Sequence, residues 1–77
     1  MIIKLNITNF SSFKKAIGEC SEPVFILDGG GKKRKIEEHI LKEMRQQYES
    51  QKGTLSIQCM CSPISDYYLL LAAAVWE

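Results

Sequence analysis

Val24-Phe25-Ile26-Leu27-Asp28-Gly29-Gly30-Gly31-Lys32-Lys33-Arg34-Lys35 is the stretch on which the fold turns. Val24 to Leu27 is apolar at every position, as expected of a central strand covered on both faces. Glu22-Pro23 brings the chain in extended, because a residue before proline avoids the helical region. Asp28 and three glycines end the strand in a turn, and Lys32 to Lys35 read as a brief returning hairpin strand.

Working outward from that stretch, Ile3, Leu5 and Ile7 alternate with Lys4 and Asn6, the pattern of a strand with one buried face. Thr8 or Asn9 then caps a helix whose apolar face is Phe10, Phe13, Ala16, Ile17 and Cys20. On the other side, Ile36, Ile40, Met44 and Tyr48 recur at every fourth residue with Leu41 beside them, a second amphipathic helix. Glu38 and Lys42 are spaced for a favourable pair on it, and Lys52-Gly53 ends it. Leu55, Ile57 and Cys59 alternate with Ser56, Gln58 and Met60 as a third main strand.

Tyr67 to Trp76 reads as a closing helix, because Leu and Ala favour helix and Ser62-Pro63 or Ser65-Asp66 supplies a start. The competing reading is a strand that forms a β-hairpin through Ser62 to Ser65, which gives an α+β fold. The leading order is β-α-β-(short β)-α-β-α, a small α/β layer fold forming one domain over residues 1–77. Right-handed crossovers predict parallel main strands, with the Val24 strand paired on both sides.

At 77 residues the chain has room for one small core and little for a deep catalytic cleft. Its formal net charge of +1 is unevenly spread: residues 1–31 are neutral, 32–52 carry +3 and 53–77 carry −2. That middle excess is modest beside a dedicated nucleic-acid binder. Cys20, Cys59 and Cys61 are an odd set, and strand-like sequence begins at Met1-Ile2-Ile3, so neither a disulfide framework nor a targeting segment is expected. The longest apolar run, Tyr67 to Trp76, is too short to span a bilayer. The expectation is a cytoplasmic protein with no membrane contact.

Gly29, Gly30, Gly31, Lys32, Lys33, Arg34 and Lys35 form the first candidate site, since free backbone N–H groups with adjacent cations attract phosphate. The stretch is not a P-loop: Gly31-Lys32 is followed by Lys33 instead of a hydroxyl residue, and Ile26 stands where the first glycine belongs. A turn with solvated lysines accounts for the same residues. Cys59-x-Cys61 with Cys20 and His39 would make up a zinc set on paper. Cys20 and Cys59 fall on apolar faces, however, where free cysteine behaves as a small hydrophobe, so no metal or cofactor is expected. His39 sits at the boundary of an amphipathic helix with no nucleophile beside it in sequence, and Asp28 before glycine is explained equally well as a turn former. Catalytic residues are therefore not assigned, and no enzyme is expected.

The last candidate is the C-terminal segment, with Tyr67, Tyr68, Leu71 and Trp76 as an interaction surface. As a helix it is apolar almost all round, more than one small core needs.

The opening Lys4-Leu5-Asn6-Ile7-Thr8-Asn9-Phe10-x-x-Phe13, with Cys20, Pro23-Val24 and Asp28-Gly29, resembles a group of small uncharacterised proteins from Firmicutes, some of which carry the label poly(A) polymerase. The likeness continues through Leu55-x-Ile57-x-Cys59 and Pro63, after which such proteins enter a final helix. It implies a bacterial protein and a fold. A nucleotidyltransferase needs metal-binding acids spaced on a strand, and this chain has only Asp28 there, so that activity does not carry over. The chain is also similar to STAS-type regulatory domains, but its turn at Asp28 to Gly31 lacks their phosphorylated hydroxyl.

These readings lead to a non-enzymatic module acting through protein–protein contact, with self-association as the favoured form. The alternative is a phosphate- or nucleic-acid-binding module using Gly29 to Lys35.

Overall fold

The computed structural model describes residues 1–75. The elements are β1 (Ile2–Ile7), α1 (Phe10–Glu19), β2 (Phe25–Leu27), β3 (Lys33–Lys35), α2 (Glu38–Ser50), β4 (Leu55–Met60) and α3 (Ile64–Val75). The C-terminal segment is helical, so the hairpin alternative falls. Trp76 lies outside the described residues.

The expected parallel neighbours do not form. The strand order is β1-β4-β2-β3, and every pairing is antiparallel. Both helical crossovers are split. Helix α1 joins β1 to β2, which run the same way, and β4 fills the slot between them. Helix α2 likewise joins β3 to β4, with β2 in the slot. Alternation within a strand reports which face is buried, not which strand fills such a slot.

Strand β2 is paired on both sides, as expected, but the sheet is covered on one face only. Register places Ile3 and Ile26 beside Cys59, and Leu5 beside Ile57, on the covered face. Those residues join one core cluster with Phe10, Phe13, Ile40, Met44 and Leu70 from the three helices. Phe25 and Leu27 lie opposite Met60 and Gln58 on the other face, half-buried and outside that cluster. The apolar run therefore overstated its burial: Val24, at 3% exposure, precedes the strand and receives the N–H of Ile36 on its carbonyl at 2.8 Å.

Local signals set the ends of the elements. Asn9 caps α1, its side-chain oxygen accepting the N–H of Ser12 at 3.1 Å. After α2 the chain turns through Lys52 and Gly53 at positive φ, and the N–H of Gly53 donates to the Tyr48 carbonyl at 2.9 Å. The expected Glu38–Lys42 pair does not form. Glu38 lies 3.9 Å from Lys14 on the neighbouring α1, and the pair along α2 is Arg45–Glu49 at 3.1 Å.

Two polar side chains tie the layers together. The Tyr48 hydroxyl donates to the Thr8 carbonyl at 2.8 Å, fixing α2 to the β1–α1 junction. Tyr48→Phe is expected to cost about 1 kcal/mol in urea denaturation. Asp66, in the first turn of α3, is 4% exposed and accepts the N–H groups of Ser21 and Glu22 at 3.1 and 3.2 Å. The Ser21 hydroxyl donates to the same carboxylate. Asp66→Ala leaves those donors without acceptors, with an expected loss of about 1–3 kcal/mol in the same measurement.

Candidate functional site

The glycine–lysine segment is divided among separate duties. Asp28 Oδ1 accepts the N–H groups of Gly30 and Lys32, both at 2.9 Å, and the Asp28 carbonyl accepts that of Gly31 at 2.9 Å. Three backbone donors that could have cradled a phosphate, those of Gly30, Gly31 and Lys32, are thus taken by the turn's own aspartate. Gly31 sits at φ +80°, where a side chain would be strained. Arg34 projects toward the helices and meets Glu43 of α2 at 3.1 Å. Lys33 and Lys35 lie on the opposite face, with the Lys33 amine 5.3 Å from the centre of the Phe25 ring. The seven residues do not converge on one point.

The groups capable of chemistry are similarly engaged or muted. Burial pushes the Cys59 thiol up to about 12. Burial and, secondarily, the Asp66 carboxylate push Cys20 up to about 11, and burial also raises Cys61. Thiols held neutral are poor nucleophiles and poor metal ligands. Cys20 Sγ contacts the Ala16 carbonyl at 3.2 Å, a bond local to α1. Among the described residues no group of three or more His, Cys, Asp or Glu is placed to hold a metal ion. His39 is largely exposed, with Nδ1 3.8 Å from Glu37.

The C-terminal surface separates into two faces. Leu70 and Ala74 are buried in the core, and Tyr67 and Leu71 are half-buried against it. Tyr68 is 62% exposed and Ile64 is 58% exposed, with Ala72 continuing the outward line at helical spacing. The only charged residue of α3 is Asp66, which is buried, so the helix presents no charge to solvent. The Tyr67 ring meets Tyr68 edge-on at 5.4 Å and steadies it. Beside this line runs a shallow groove between α1 and α3, lined by Lys15, Ala16, Glu19, Leu69, Ala72 and Ala73. Lys15 and Glu19 are both exposed, one helical turn apart, and neither has an ion-pair partner among the described residues. The sequence reading named Tyr67, Tyr68, Leu71 and Trp76 but not this flanking pair, whose relation to α3 depends on how the helices pack.

A second surface was not read from the sequence: the uncovered sheet face, which carries Lys4, Lys33 and Lys35 around Phe25. None of the four strands contains Asp or Glu.

No protein-family model, curated protein or solved structure matches this chain. No helix among the described residues is long and apolar enough to cross a membrane.

Proposed function

We propose that this chain is a non-catalytic module that works by protein–protein contact, pairing with a second copy of itself through α1 and α3. The observation that carries the reading is the outward line Ile64–Tyr68–Ala72, with Tyr68 62% exposed on a helix that offers solvent no charge. An isolated exposed Leu or Tyr needs no explanation, but a continuous charge-free helix face favours contact. The flanking charges select the occupant. In a two-fold pairing with the axis between Lys15 and Glu19, each Lys15 faces the partner's Glu19, so the surface is self-complementary in charge and in apolar character. Ala16, Ala72 and Ala73 keep the groove shallow enough for close helix approach. The engagement of Asp28 and Asp66 by nearby N–H groups, and the neutral thiols, support a non-enzymatic reading.

A face this narrow gives a weak dimer, with a dissociation constant on the order of 0.1 mM. The test is a charge-swap cycle read by sedimentation velocity. Lys15→Glu and Glu19→Lys are each expected to weaken association about threefold to tenfold, since each places like charges across the axis twice. The double swap restores it. Weakening without restoration in the double variant contradicts this pairing geometry.

A further inference from the structure

The uncovered face of the sheet is a second surface that the helix-side contact leaves free. Its composition follows from register. One cross-strand row is Ile2–Met60–Phe25–Lys35, and the next is Lys4–Gln58–Leu27–Lys33, followed by Asn6–Ser56. Ile2 is 57% exposed, Lys4, Asn6, Ser56, Gln58, Lys33 and Lys35 are exposed, and Phe25, Leu27 and Met60 are half-buried. Helices cover neither row.

We infer that this face binds single-stranded nucleic acid, with Phe25 as the stacking platform and Lys4 and Lys33 as phosphate contacts. Charge complementarity identifies the occupant as an anion. The strands hold no acidic residue, and neither Lys4 nor Lys33 has an ion-pair partner among the described residues, whereas Lys35 lies 4.0 Å from Glu37 and is partly neutralised. The aromatic ring narrows the class. Phe25 is the one aromatic side chain in the four strands; the Lys33 amine lies over its ring, 5.3 Å from the centre, and swings off that face to the phosphate when a base stacks there. A ring on β2, an interior strand of the sheet, beside flexible cations, suits an unstacked base next to its phosphate. Lys4 and Lys33 sit three strand spacings apart, about 14 Å, so a strand lying across the sheet meets both.

Polar groups for base edges lie between the lysines. Gln58 is directly between Lys4 and Leu27, and Ser56 donates to Asn6 Oδ1 at 3.2 Å, leaving the Asn6 amide free to donate. Strand β2 pairs only with Gln58 to Met60 of β4, so the backbone edge at Ser56–Ile57 has no strand partner on that side. The resulting open depression of about 810 Å³ reaches Asn6, Gln58 and the Asp28–Gly29 turn, adjoining the lysine row. Asp28 has taken the N–H groups of Gly30, Gly31 and Lys32, so the loop contributes mainly shape.

The experiment is fluorescence-anisotropy titration of short single-stranded oligo(U) over a range of salt, using a Tyr68→Glu background so that self-association does not enter. With Lys4, Lys33 and a half-neutralised Lys35, log K against log salt is expected to fall with a slope of about −2. Lys4→Ala with Lys33→Ala reduces that slope by about 1.4, while Lys14→Ala with Lys42→Ala, an equal loss of charge on the helix side, leaves it unchanged. Phe25→Leu keeps an apolar side chain, removes the stacking ring and lowers affinity about fivefold or more. Circular dichroism on each variant confirms that the fold is retained. Poly-glutamate serves as the competing polyanion. Equal binding of poly-glutamate with no effect of Phe25→Leu overturns the inference in favour of an acidic peptide. Equal losses from both lysine pairs, or no oligo(U) binding, overturn it outright. Failure here leaves the helix-side contact untouched.

Discussion

Phe13→Ala is expected to remove about 3–5 kcal/mol of folding stability. Phe13 is 0% exposed, on the face of α1 that meets the sheet, with the Phe10 ring 6.1 Å from its own. Truncation deletes the buried ring and leaves a cavity in a core cluster whose other large members, Ile7, Leu55 and Leu70 among them, are fully buried and have little freedom to fill it. A 77-residue domain commonly has about 4–11 kcal/mol in total, so this one change consumes a large part of it. Thermal denaturation followed at the backbone amide band is expected to show the midpoint falling by about 12 °C or more. A loss below about 1 kcal/mol contradicts the packing of α1 on this sheet.

The second large effect is alkaline. Cys59 is 0% exposed, and its thiol is pushed from an ordinary 9.0 up to about 12 by burial first and the neighbouring thiols second. In the unfolded chain the thiol ionises near its ordinary value, so above it the unfolded state holds fewer protons than the folded one. Stability then falls as pH rises, by about 1.4 kcal/mol per unit for this group. Its contribution is whole below pH 9.0 and is lost on the way to about 12, a span of about 4 kcal/mol. Burial raises Cys20 and Cys61 as well, so the diagnostic is the difference between wild type and Cys59→Ala. Urea midpoints are expected to fall more steeply with pH in wild type than in the variant. Equal slopes contradict a neutral, buried Cys59.

Much of the fold was legible because local chemistry decided it. Alternation at Ile3, Leu5 and Ile7 gave β1 and its buried face, and Phe10, Phe13 and Ala16 gave α1 with a cap at Thr8 or Asn9, of which Asn9 is the one. Spacing at Ile36, Ile40, Met44 and Tyr48 gave α2, although Ile36 precedes the helix, which begins at Glu38; leucine and alanine content gave α3. The antiparallel order was not legible, because the strand that fills a split crossover is chosen by global packing. Nor was the bare sheet face. The apolar run at Val24 to Leu27 looks the same whether both sides are covered, or one side is covered and the other leaves Phe25 and Leu27 half-buried.

The candidate site was legible in part for the same reason. Apolar excess marked the segment with Tyr67, Tyr68, Leu71 and Trp76 as a group, but not which side of the helix faces the core; Leu70 and Ala74 take that side and leave Tyr68 exposed. Tyr67 and Leu71, named with it, turn out to be half-buried supports. Lys15 and Glu19 belong to a different helix, and nothing in their own neighbourhood marks them. The basic run suggested one anion loop. Strand alternation in β3 instead sends Arg34 to Glu43 and Lys33 and Lys35 to the open face.

The most direct test of the central claim is sedimentation velocity on wild type and Tyr68→Glu, from about 10 µM to about 1 mM, a range that brackets the expected dissociation constant. The pairing of α1 and α3 predicts that the wild-type coefficient rises with concentration toward a dimer. It predicts that Tyr68→Glu, which puts a charge where an apolar ring meets its partner, stays at the monomer value throughout. A wild type that remains monomeric across the series, or a Tyr68→Glu variant that associates equally well, contradicts it.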